Sequence, residues 1–144
     1  IGRGVTLVDV EALVSQYLRS QSEVAAYVGQ RVYTALPETK TFPLVRLTRI
    51  GGVPPMSRPL HMDAARLQID VFGGSKSTTL DTMDAIREEL AKIVDEAPVQ
   101  PLGVVCGVRF GPLAYLPDEA FEPAKPRYTL DVTVTVRPAP LPTT

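Results

Sequence analysis

The sequence predicts an α+β domain, in which a mostly antiparallel β-sheet carries helices packed on one face. Three observations predict this fold. Residues 127–137 alternate apolar and polar side chains, which is typical of a half-buried strand. Residues 10–18 and 80–94 instead repeat apolar side chains at helical spacing. The expected element order is α-α-β-β-β-α-β-β, because the helices are too few and too badly placed for a parallel α/β winding.

The N-terminal part is predicted to contain two helices and a short strand. Apolar residues between positions 10 and 18 lie at i, i+3, i+4, i+7 and i+8, and Asp9 is a suitable N-cap. A second short helix is expected over 22–27, beginning at Ser22 and ending at Gly29. Residues 31–34 then predict a short strand.

The middle of the chain predicts an antiparallel hairpin with an extended tip. Residues 44–50 and 65–72 both alternate in the manner of strands. The segment 51–63 between them holds two glycines and three prolines, so we expect it to be a long irregular loop.

The main helix is expected after Gly73-Gly74, where residues 75–79 offer several caps, including the capping pattern formed by Thr78 and Asp81. It should end near Ala97-Pro98. Leu80 begins its predicted apolar face, which should pack on the sheet.

A strand is predicted over 104–110, followed by a Pro-rich acidic loop at 117–126 and the final strand. The side chains expected to point into the core from the first of these strands are Val104, Cys106, Val108 and Phe110. Residues 1–137 are predicted to form a single domain, and 138–144 a Pro-rich C-terminal tail.

Composition excludes several classes of function. The 144 residues include 15 Lys and Arg against 16 Asp and Glu, giving a net charge of −1. Stable, sequence-independent DNA binding is therefore disfavoured, since it draws its affinity from a basic excess. No apolar run reaches the roughly 18 residues of a transmembrane helix, so no membrane association is expected. The single cysteine, Cys106, excludes an intramolecular disulfide.

No catalytic, cofactor or metal motif is present in the sequence. His61 lacks a recognisable nucleophile or orienting partner and is interpreted as a surface or interface residue. Cys106 is interpreted as a small core hydrophobe. The acidic loop residues match no calcium-binding spacing, and the Gly-Gly pairs lack the register of a phosphate loop. We therefore expect a protein that is not an enzyme and needs no cofactor.

The polar face of the predicted sheet is the main candidate for an interaction surface. It mixes both charge signs through Arg46, Arg66, Asp70, Arg109 and Asp131. Alternation alone does not distinguish a solvated antiparallel sheet from one that meets a neighbouring subunit or lines a passage.

Several segments resemble one known family. Residues 10–18 and 24–29 are similar to its N-terminal helices. The remaining similar segments are Pro43-Leu44-Val45-Arg46-Leu47 followed by a long loop, Leu67-Gln68-Ile69-Asp70-Val71-Phe72-Gly73 before a Ser/Thr-capped helix, and Arg127-Tyr128-Thr129-Leu130-Asp131-Val132. The chain thus resembles the tail terminator proteins of long-tailed bacteriophages, which are also called tail completion or head–tail joining proteins.

The resemblance implies a structural virion protein located in the tail or neck and assembled in the host bacterial cytoplasm. Six copies would form a ring that caps the tail tube and ends its polymerisation. The ring would also join the tail to the head-completion or connector protein, and genomic DNA would pass through it without specific binding.

The long loop is the candidate contact with the tail tube protein or the neighbouring subunit. The candidate residues are Pro54, Pro55, Met56, Arg58 and His61. A head-completion or connector adaptor is the alternative structural role. A small α+β enzyme and a monomeric binding module remain as alternatives from other classes.

Overall fold

Three helices and six strands make up the described part of the chain, which comprises residues 8–53, 62–120 and 124–138 of a computed structural model. The helices are α1 (Val10–Ser20), α2 (Ser22–Val28) and α3 (Lys76–Glu96). The strands are β1 (Val32–Tyr33), β2 (Leu44–Val53), β3 (Asp63–Phe72), β4 (Val99–Gln100), β5 (Gly103–Tyr115) and β6 (Arg127–Arg137). The predicted α+β class and element order are confirmed, and the two-residue β4 is added before β5.

All six strands join one sheet in the order β1-β2-β3-β6-β5-β4. Only the β1–β2 pair is parallel, and every other neighbouring pair is antiparallel. The predicted hairpin is present as β2 and β3, with Leu47 opposite Ile69. Both strands continue further towards the tip than the sequence predicts, so residues 51–53 and Asp63 belong to the sheet rather than to the loop.

Local chemistry fixes the helix ends. The Asp9 carboxylate accepts a hydrogen bond from the backbone N–H of Ala12 at 3.1 Å and begins α1. Gly29 ends α2 with a φ of 60°. The cap of α3 is Ser75, whose hydroxyl accepts from the Thr78 N–H at 3.0 Å. The helix therefore begins before the predicted Thr78–Asp81 pattern.

The core lies between one face of the sheet and the helices α1 and α3. We call this the inner face, and the opposite side the outer face. From α3, Met83, Ile86, Leu90 and Ile93 are all at most 1% exposed. Each such side chain contributes about 1.5–3 kcal/mol on burial, so this stripe holds α3 on the sheet. Leu80, predicted to join it, is 40% exposed because Thr79 and Thr82 occupy the buried positions of the first turns.

Irregularities in β5 overturn one prediction. The pairing of β5 with β6 shifts between Val105 and Gly107, so one residue is bulged out of register. That residue is Cys106, which is exposed rather than buried as predicted. Val105 takes the inner position, and Val108 and Phe110 return to the inner face beyond the bulge.

Candidate interaction surface on the outer sheet face

The strand register brings the predicted polar residues together on the outer face. Arg46 on β2 lies opposite Asp70 on β3, and Asp131 on β6 lies opposite Gln68. Thr133 of β6 lies between Arg66 on β3 and Arg109 on β5, each of which is its register partner in the neighbouring strand. Because α1 and α3 cover the inner face, these side chains have no helix above them among the described residues.

Asp70 is the centre of a buried charge cluster on this face. It is 0% exposed, which the alternation of a solvated face does not predict. Its Oδ2 accepts hydrogen bonds from Arg46 Nε at 3.3 Å and Arg46 Nη2 at 3.0 Å. Gln68 Nε2 donates to Asp70 Oδ1 at 3.1 Å. A buried carboxylate needs such donors, since an unpaired charge is costly away from water.

Arg127 is a second cation of the cluster, and the sequence analysis did not identify it. Its Nε lies 3.4 Å from Asp70 Oδ1, within ion-pair range but without hydrogen-bond geometry. The residue begins β6 opposite Phe72, on the same side of the strand as Asp131. The alternation of β6, continued four residues back from Asp131, would have placed Arg127 on the outer face.

Phe72 supports both guanidinium groups. The Arg46 and Arg127 Cζ atoms lie 5.2 and 5.5 Å from the centroid of its ring, and the ring is buried. Cations at this distance are attracted to an aromatic face. The stacking limits the rotamers of both arginines, so the cluster is held in one arrangement.

A second ion pair joins Arg66 to Asp131 across β3 and β6. Arg66 Nη2 and Asp131 Oδ2 are 2.5 Å apart, and Arg66 Nε also donates to both carboxylate oxygens. Hydrogen bonding to Asp131, followed by its negative charge, raises the pKa of the Arg66 guanidinium. The Arg66 side chain is 56% exposed, so water screens the pair and its contribution to stability is small.

Arg109 has no ion-pair partner within the described ranges. It borders a shallow depression of about 330 Å³, where small side chains leave room above β5 and β6. The residues lining this depression are Ala64, Gly107, Val108, Arg109, Thr133 and Thr135. Hydroxyls and one guanidinium are suited to polar contacts with a partner surface.

The remaining candidate residues lie in the long loop and in the acidic loop. Pro54, Pro55, Met56, Arg58 and His61 lie outside the described residues. In the acidic loop, the Asp118 carboxylate accepts from the Ala120 N–H at 3.0 Å, as in a local turn. Over the ranges described, no group of three or more His, Cys, Asp or Glu residues could hold a metal ion. None of the helices there combines the length and apolar character needed to span a bilayer.

The fold and the outer face define a small α+β domain with one helix-covered and one polar, ion-paired side. Its structure is similar to a chain in the virion of a native gene transfer agent (GTA) particle, with a TM-score of 0.66 and 21% sequence identity. The match covers 89% of this chain and 94% of that one, which establishes a common fold.

The sequence identifies the family. Residues 12–121 of the 144 match the family described as Tail completion protein gp17, and the chain therefore belongs to this family of structural tail proteins of phage-like virions. The predicted resemblance to tail completion proteins is confirmed. No curated protein has significant sequence similarity to the chain.

Proposed function

We propose that six copies of this protein form a ring that caps the tail tube, ends its polymerisation and joins the tail to the head connector. The observation that carries this proposal is the family match over residues 12–121. The role is mechanical rather than enzymatic. The partners are further copies of the chain, the tail tube protein and the head-completion or connector protein. Assembly takes place in the cytoplasm of the host bacterium.

Two open sheet edges support assembly between copies. The edge strand β1 pairs with only Val45 and Arg46 of β2, and β4 pairs with only Val104 and Gly103 of β5. Within the described residues, the remaining length of β2 and of β5 has no strand paired along the edge that faces away from the centre of the sheet. Exposed edges readily accept a neighbouring chain. A ring needs two unlike contact surfaces on each copy, and the two edges differ in length and sequence.

The charge balance supports passage of genomic DNA through the ring. The chain carries a net charge of −1. A strongly basic passage would retain DNA through phosphate contacts. A chain without net positive charge is not expected to retain the duplex in this way.

Electron microscopy of the purified protein, alone and mixed with tail tubes, tests the proposal. We expect rings whose mass is six times that of the 15.6 kDa chain, and we expect these rings at tube ends. A protein that stays single at high concentration and never decorates tube ends would contradict it. Binding to the connector but not to tube protein would instead favour the adaptor role.

The loop proposal is tested separately. We propose that the segment 51–63, and in particular its residues 54–61, contacts the tube or the neighbouring copy. Replacing them with a short Gly-Ser linker should weaken tube capping. Replacing residues 36–41, which lie in a separate turn-rich connection, with a Gly-Ser linker in the same way serves as the control. Normal ring formation and tail joining by the loop variant would count against the loop.

A further inference from the structure

We propose that the cluster of Arg46, Asp70 and Arg127 is the anion-binding half of the contact between copies, and that it binds carboxylates on α3 of a second copy. This inference rests on the ring proposed above, and it assigns the charged part of the contact between copies to the outer face and α3, with the sheet edges as the alternative contact surfaces. Neither the family match nor the shared fold assigns a contact to any of these side chains.

The cluster has an unmet positive charge. Two guanidinium groups share the single carboxylate of Asp70, so one unit of charge is left over. Asp70 accepts its hydrogen bonds from Arg46 and Gln68, while Arg127 Nε is buried and has no hydrogen-bond partner among the described residues. Buried donors in native proteins are almost always satisfied. A carboxylate entering beside the part of Arg127 that stays exposed would neutralise the excess charge.

The position of the cluster favours a protein carboxylate over DNA. The Arg46 and Arg127 side chains are 32% and 22% exposed, so each is recessed but still reachable. Phe72 holds both in place, which reduces the entropy lost on binding. Duplex DNA would need several phosphate contacts over a wide basic surface. A recessed guanidinium pair suits one side-chain carboxylate, which arginine binds through two parallel hydrogen bonds.

The same chain carries the complementary group. One stripe of α3, at spacing i, i+3, i+7 and i+14, is exposed and acidic; we call it the acidic stripe. Its members are Asp81, Asp84, Glu88 and Asp95. Within the described residues none of the four has an ion pair, and the nearby cations are engaged elsewhere. Arg87 stacks on the Phe110 ring at 5.7 Å, and Lys92 lies 3.5 Å from Glu89.

The two surfaces lie on opposite sides of the domain. The acidic stripe faces away from the sheet, because the other side of α3 packs on the inner face. The cluster lies on the outer face. One copy therefore cannot satisfy its own cluster, whereas a neighbour can. A head-to-tail contact needs two unlike, complementary patches on each copy, and it closes into a ring when its rotation matches a closed symmetry.

A charge exchange between copies tests the inference. In Arg127→Glu the cluster repels the acidic stripe. In Asp81→Lys/Asp84→Lys/Glu88→Lys three lysines outweigh the remaining Asp95, so the stripe repels the cluster. Each variant alone should need a concentration more than about tenfold higher to assemble than the wild type, because like charges then face each other. An equimolar mixture should form rings again, with the two variants alternating, since every contact then joins opposite charges.

Controls separate assembly from folding. Lys40→Glu makes the same charge change as Arg127→Glu, and Glu23→Lys reverses one exposed carboxylate on a different helix. Both positions are exposed and belong to neither surface, so both variants should assemble like the wild type. Arg127→Glu leaves the buried Asp70 carboxylate with one cation instead of two, which could lower stability. The double variant Asp70→Asn/Arg127→Glu removes that buried negative charge. This double variant should fold by circular dichroism and still fail to assemble alone.

The outcomes are distinct when masses are measured by analytical ultracentrifugation. Rings of Arg127→Glu that form like the wild type, or folded variants whose mixture stays single, would overturn this inference and leave the ring intact. A wild-type protein that stays single would remove both the ring and this contact. Recovery of rings only in the mixture would establish the pairing of the cluster with the acidic stripe.

Discussion

Truncating Asp70 should cost far more stability than truncating the other aspartate of the outer face. Asp70→Ala removes the acceptor for two hydrogen bonds from Arg46 and two from Gln68, and it removes the ion-pair partner of Arg127. The donors and charges that remain are partly shielded from water. Leaving such groups unpaired costs more than forming the bonds gains.

The magnitude follows from burial. Removing one partner of a fully buried ion pair costs about 3–5 kcal/mol. Here Arg46 and Arg127 keep about a third and a fifth of their side-chain surface in water and recover part of that loss. We therefore expect Asp70→Ala to lower the free energy of unfolding by about 2–3 kcal/mol. Asp131→Ala should change it very little, because Arg66 is mostly exposed although its contact is shorter.

Urea unfolding followed by far-ultraviolet circular dichroism measures both effects. All variants must be compared at the same chain concentration, since assembly stabilises the folded state by mass action. If the free energy of unfolding falls with urea concentration at the same slope in all variants, the differences reflect stability and not a changed unfolded state. Equal losses for the two variants, or a larger loss for Asp131→Ala, would refute the reasoning that burial rather than distance sets the strength.

Three further predictions follow from the described contacts. Burial, and then the charge of Glu89, raises the pKa of Tyr17. The neutral Tyr17 side chain therefore stabilises the fold fully below pH 10, and this contribution is lost as the pH rises through the raised pKa of the folded state. Tyr17→Phe, which loses the 2.9 Å hydrogen bond to the Glu89 carbonyl, should cost about 1 kcal/mol at pH 7 and less in alkaline urea titrations. Gly52→Ala should lower the free energy of unfolding by about 1–3 kcal/mol, because its φ is 107° and a Cβ would meet the β3 backbone, whereas Gly107→Ala should be nearly neutral. The Cys106 thiol should react with Ellman's reagent in the native protein, and a reaction that required denaturant would contradict its exposure.

The sequence predicts the elements that depend on local periodicity. The strand β6 has the predicted bounds, because its alternation continues without interruption from Arg127 to Arg137. The helix α3 and the β2–β3 hairpin were also predictable, since each repeats one period over a long segment. Their ends were less predictable. Ser75 and Thr78 are both acceptable caps, and only the structure shows which hydroxyl accepts a backbone N–H.

The sequence does not predict features that depend on pairing between distant segments. A bulge in β5 reverses the side on which Cys106 lies, and it is defined only by the register with β6. The alternation of β3 predicts that Asp70 is solvated, yet Arg46 from β2 and Arg127 from β6 bury it. The local pattern could place these side chains on one face, but it could not show that they share one carboxylate.

The two halves of the proposed contact are coupled to folding in different ways. In α3 the helical period separates the buried stripe containing Ile86 and Leu90 from the acidic stripe, so charges can change there without disturbing the core. In the cluster, Arg127 serves both the buried Asp70 and the proposed partner. Substitutions on α3 should therefore alter assembly alone, whereas substitutions in the cluster should alter assembly and stability together. This asymmetry makes the α3 variant the cleaner measure of the contact and makes the restored ring in the mixture the decisive observation.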